Sequence, residues 1–104
     1  MEKKLNTPYF LLSERFEELN DWQSPERLKM GYRLAKETLR QDSESPALDL
    51  LLQIGVARQT MYNWTAGNSR PYKIYLEKID SVFSRILGDD WPEKVDRKLT
   101  EQDN

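Results

Sequence analysis

Apolar residues recur along this chain at helical spacing. Tyr9, Leu12, Phe16 and Leu19 follow one another at three, four and three, which lines one face of a helix. Asn6-Thr7-Pro8 ahead of them is a helix start, and that helix is predicted to end near Asn20. Ser24-Pro25-Glu26-Arg27 opens a second, with Leu28, Tyr32, Ala35 and Leu39 on its face, running to about Arg40. Ser45-Pro46 opens a third. Its run Leu48-Asp49-Leu50-Leu51-Leu52-Gln53-Ile54 also suits a strand, but Pro46 ahead, Gly55 behind and no β-branched residue before Ile54 favour helix. A fourth helix is predicted over 57–65, with Met61 and Trp64 facing inward, and Ala66-Gly67-Asn68-Ser69 is a turn. Arg70-Pro71 opens a fifth, whose inner face is Tyr75, Ile79, Val82, Phe83 and Ile86 and whose end is Gly88. Trp91-Pro92 is expected to open only a short last turn, with residues 101–104 fraying. Gly31 stands inside the second helix as a weak breaker.

No hairpin signal and no internal repeat interrupts this pattern. The fold class expected is all-α, a single compact bundle of about five helices with a central helix-turn-helix. Residues 1–24 read as an N-terminal extension helix, 25–88 as the main unit and 89–104 as a C-terminal tail.

The chain has 104 residues, 38% of them hydrophobic and 33% charged. That is one domain's length, with the wide polar surface of a small helical protein. It contains no Cys and no His, so thiolate zinc sites, cysteine nucleophiles and the commonest general base are excluded. With no Gly-rich phosphate loop and no paired acids near a base, an enzyme is not expected. No cofactor and no small-molecule ligand is expected. Asp89-Asp90, with no third ligand, read as a turn cap rather than a metal site. No apolar run approaches the roughly 20 residues of a membrane span. Met1-Glu2-Lys3-Lys4 leads into no secretory core, so a cytoplasmic protein is expected.

Net charge is −2, but its distribution matters more. Residues 54–85 carry Arg58, Arg70, Lys73, Lys78 and Arg85 against only Glu77 and Asp80, between acid-rich flanks. From Gly55 to Leu76 there is no acid at all. Within that stretch a short helix ends in Gly55 and another begins two residues later, which is helix-turn-helix spacing. With Met61 and Trp64 turned inward, Arg58, Gln59, Tyr62 and Asn63 face outward. Arg pairs bidentately with guanine, and Gln and Asn with adenine. Lys29, Arg33, Lys36 and Arg40 form a second basic stripe on the preceding helix. It reads as a solvated face partnered by Glu26 and Glu37, with contact to a phosphate backbone as the other option.

Residues 50–71, Leu-Leu-Leu-Gln-Ile-Gly-Val-Ala-Arg-Gln-Thr-Met-Tyr-Asn-Trp-Thr-Ala-Gly-Asn-Ser-Arg-Pro, resemble the helix-turn-helix of the phage repressor and Cro-like (XRE) family. Gly55-Val56, Met61, Trp64, Gly67 and Pro71 stand at that family's spacings. The resemblance implies a lambda-repressor-like fold over roughly residues 25–88 and a recognition helix at about 57–65. It places base contacts on Arg58, Gln59 and Asn63, with Tyr62 flanking. Phosphate contacts fall on Asn68, Ser69 and Arg70, joined by Lys73. The chain departs from the family at four positions. Leu51 replaces a small residue, Ala47 a Gln, Ala57 a Ser and Thr65 a Glu.

The expectation is therefore a sequence-specific transcriptional regulator of the repressor/Cro type, binding double-stranded DNA in the major groove. A homodimer is expected, because one helix reads too few bases and two half-sites supply the rest. Its contact is expected from the N-terminal helix or the Trp91 segment. The alternative is a protein–protein interaction module, an accessory or anti-regulator protein built on a helix-turn-helix scaffold, which the acidic overall charge favours.

Overall fold

The computed structural model describes residues 24–103. Its five helices are α1 (Pro25–Leu39), α2 (Pro46–Ile54), α3 (Arg58–Ala66), α4 (Lys73–Leu87) and α5 (Trp91–Asp103). No strand occurs among the described residues. The helix expected around Tyr9, Leu12, Phe16 and Leu19 lies outside them.

Local sequence explains most boundaries. Proline begins α1 and α2, where its missing N–H costs nothing and its fixed φ suits the helix. Glu26 and Asp49 sit in the first turns of those helices, opposite the positive end of the dipole. α2 and α3 end on one and the same closure. Gly55 has φ 87° and Gly67 φ 86°, a left-handed conformation that a side chain disfavours. Past each glycine the chain bonds back onto the helix, Val56 N–H to the Leu51 carbonyl at 3.1 Å and Asn68 N–H to the Asn63 carbonyl at 2.8 Å. This is the six-to-one bond of a Schellman end.

α1 is the central helix and lies against each of the other four. That position explains why it is buried on more than the one face its periodicity suggests. Leu28 and Ala35 are buried as expected, Tyr32 and Leu39 only half, and Met30 and Gly31 are buried as well. Gly31 proves to be a packing residue rather than a breaker, since Phe83 of α4 lies directly against it. On α4, Leu76, Ile79, Val82 and Phe83 are buried, while Tyr75 and Ile86 are half-buried. Each fully buried aliphatic or Phe side chain there contributes about 1.5–3 kcal/mol of transfer free energy.

The C-terminal segment differs most from expectation. In place of a short turn and a tail, residues 91–103 form a thirteen-residue helix, and Trp91 and Val95 are fully buried. The Trp91 ring meets Phe83 edge to face, centroids 5.0 Å apart at 90°, a favourable aromatic geometry. Its indole Nε1 donates to Asp80 Oδ1 at 2.8 Å, which satisfies the one polar atom that burial would otherwise orphan. Arg27 and Asp96 pair at 3.2 Å and tie α5 to α1. No helix among the described residues is long and apolar enough to cross a membrane.

Candidate nucleic-acid interface

α3 is held from behind by two side chains. Met61 and Trp64 are buried in the core that contains Leu50, Leu51 and Ile54, and the Trp64 ring packs on Tyr75 with centroids 5.5 Å apart. Leu51 is accommodated because α3 makes its main backbone approach to α1 rather than to α2. With the inner positions fixed, the helical period sends Arg58, Gln59 and Tyr62 outward, all exposed, and leaves Asn63 half-exposed. Thr65, at the position where the family has Glu, turns its hydroxyl back onto the Met61 and Tyr62 carbonyls at 3.1 and 3.2 Å. Ala57 gives α3 no side-chain cap.

The outward residues are linked to their neighbours on both sides. Gln59 Nε2 donates to Asn63 Oδ1 at 3.1 Å. The backbone carbonyl of Asn63 accepts from both Asn68 N–H and Ser69 N–H, at 2.8 and 3.3 Å. The turn bearing Asn68, Ser69 and Arg70 is thereby tied to the end of α3, with all three side chains exposed. Pro71 is buried and anchors that turn, and Lys73 follows, exposed, at the start of α4.

At its other end α3 meets α1. Arg58 is electrostatically coupled to Tyr32, whose phenol is pushed above its ordinary value of 10.0 by burial while the Arg58 cation pulls the other way. Lys36 Nζ stands 4.5 Å from the centroid of the Tyr32 ring, within cation–π range. The basic stripe of α1 therefore divides. Arg33 pairs with Glu37 at 3.4 Å, as a solvated face would, whereas Lys36 stands over the ring of Tyr32, one turn before it on α1.

Hydrogen bonds thus join Gln59 to Asn63 and Asn63 to the turn at Asn68 and Ser69, while Arg58 lies within electrostatic reach of Tyr32 on α1. Tyr32 and Lys36 are two residues that sequence reasoning placed elsewhere. The signal for them was the spacing of four between them on a helix adjoining α3. Tyr72, two residues after Arg70 and 76% exposed, is a further aromatic at this edge.

No cluster of metal-ligating side chains occurs among the described residues. No family model matches the chain, and neither a curated protein nor a solved structure matches it.

Proposed function

We propose that this chain is a sequence-specific regulator that binds double-stranded DNA, with α3 in the major groove, in the manner of the repressor/Cro-like family its central segment resembles. One observation carries the reading: the outward side of α3 and the turn behind it hold Arg58, Gln59, Tyr62, Asn63, Asn68, Ser69 and Arg70, exposed or half-exposed, joined in part by hydrogen bonds and with no carboxylate among them. Arg58, Gln59, Tyr62 and Asn63 are the base-side residues. Asn68, Ser69, Arg70 and Lys73 take phosphates on one flank, and Lys36 with Tyr32 takes them on the other. Phosphate contacts set register and base contacts set sequence. The protein works as a dimer on two half-sites and needs no cofactor.

Binding of random duplex DNA by the full chain, measured against salt, tests this. Duplex affinity is expected to fall linearly in log–log form, by about 0.9 for each phosphate neutralised. Absence of duplex binding at low salt would defeat the reading and leave the interaction module. That second reading has its own observation: Leu48 and Leu52, one turn apart on α2, are 49% and 69% exposed, an apolar pair that suits a protein partner.

A further inference from the structure

A cavity of about 450 Å³ opens where the C-terminal parts of α1 and α4 meet α5, a volume within the usual range of small-molecule sites. Leu34 and Leu87, both half-buried, form its apolar wall. Lys94, Arg97 and Lys98 of α5 bring three cations to it against one carboxylate, Glu37. A second hollow of about 300 Å³ adjoins it, sharing Leu34, Glu37 and Lys98 and reaching the buried Met30. The space therefore continues one turn along α1.

The charges around the cavity are unequally engaged. Glu37 already pairs with Arg33 at 3.4 Å. Lys94 donates to the Leu87 carbonyl at 2.6 Å, which answers the negative end of the α4 dipole. Lys98 pairs with Glu101 at 3.7 Å on exposed surface, where such a pair is worth little. Arg97 is exposed and forms no ion pair with a described residue. Arg97 and Lys98 thus offer cationic donors beside an aliphatic wall, and their own methylene stems widen that wall. No residue of α3 or of the turn after it lines the cavity, so it is separate from the nucleic-acid face proposed above.

We propose that this cavity binds a small organic anion with an apolar body, an alkyl or aryl carboxylate. Arg97 and Lys98 hold its charged group, since a guanidinium matches a carboxylate bidentately. Its apolar body lies over Leu34 and Leu87 and extends toward Met30. A cation of the same length is repelled by the same two side chains.

The test is a fluorescence titration of the full chain with anilinonaphthalene sulfonate, followed by displacement with octanoate and with octylammonium. Circular dichroism checks that each variant is folded. The parent should show one saturable site that octanoate empties and octylammonium does not. Arg97→Glu combined with Lys98→Glu should weaken probe and octanoate by about tenfold or more, the worth of a hydrogen bond to a charged group. Thr38→Phe, which fills the cavity from an exposed position on its lining and leaves every charge in place, should weaken them as well. Leu52→Ser and Arg70→Glu should leave both unchanged, because the exposed pair on α2 and the turn after α3 lie outside the cavity. Any of three results overturns the proposal: no saturable site, equal displacement by octanoate and octylammonium, or binding that survives the α5 charge reversals or Thr38→Phe. DNA binding is measured separately and stands or falls on its own.

Discussion

The ring of Phe83 occupies the space in which Gly31 would carry a side chain: a β-carbon built on Gly31 lies 2.7 Å from Phe83 Cε2. The ring cannot retreat easily, because Trp91 stands edge-on to it. Gly31→Ala therefore sets two effects against each other. Helix propensity favours alanine by about 1 kcal/mol, while overpacking a filled core costs typically about 1–3 kcal/mol. The contact is short enough for the clash to win, and thermal denaturation should show a net loss of about 1 kcal/mol or more. A stabilised variant would mean that Phe83 repacks.

Trp64 is the larger anchor. It is 4% exposed and packs on Tyr75, so Trp64→Ala should cost about 3–5 kcal/mol, the usual range for emptying such a site. That is a large part of the stability of a small domain. Urea denaturation measures it. A loss below about 1 kcal/mol would place α3 in a different rotation.

The two flanks of the interface and its centre should respond differently to mutation. Under the proposed function, Lys36→Ala and Arg70→Ala remove phosphate partners, so each should weaken binding to all duplexes and lower the salt slope by about one. Arg58→Ala should cost about 1–3 kcal/mol on the duplex selected from a random pool and relax preference at the bases it meets. Salt titration of the three variants on selected and random duplexes separates the patterns.

Tyr32 supplies a dependence on alkaline pH. Burial raises its phenol above 10.0 in the folded protein, against the opposing pull of Arg58. The folded state thus holds this proton more tightly than the unfolded chain. The stability it contributes is fully present below the unfolded value and is lost as pH rises from there through the folded value. Phenolate absorbance should show one tyrosine that ionises late and is absent in Tyr32→Phe. Arg58→Ala should delay it further, since the opposing cation is gone.

Trp91 is fully buried within its own chain, which leaves the apolar residues Tyr9, Leu12, Phe16 and Leu19 as the contact of the proposed dimer. Sedimentation should give a dimer for the full chain and a monomer for a chain shortened to start at Ser24. A full-length monomer at micromolar concentration would remove the dimer from the proposal.

Helix positions were legible because proline and glycine bracket them: Pro46 with Gly55, and Pro71 with Gly88, mark ends that the backbone obeys. α5 was not. Its apolar positions, Trp91, Val95 and Leu99, form a single thin line at a spacing of four among charged residues, and it carries no side-chain signal strong enough to separate it from a tail. The outward residues of α3 followed from Met61 and Trp64 alone. The place of Lys36 was legible only in part: its neighbour Glu37 faces another side of the helix and pairs with Arg33, while Tyr32, four residues before, takes the Lys36 ammonium on its ring. The burial of Leu76 over Tyr75 likewise depends on how α4 rolls against α1 and α2, a choice that periodicity leaves open by one residue.

The matching left-handed ends at Gly55 and Gly67 make α3 an exchangeable insert. Its length is set at both ends by backbone geometry, and only Met61 and Trp64 among its residues are buried. Substitutions on its outer side touch no core neighbour, and changes of that kind usually shift stability by no more than about 0.5 kcal/mol. Under the proposed function, such a frame would let descendants of this sequence drift from one target to another through a few surface changes, while the scaffold stays constant.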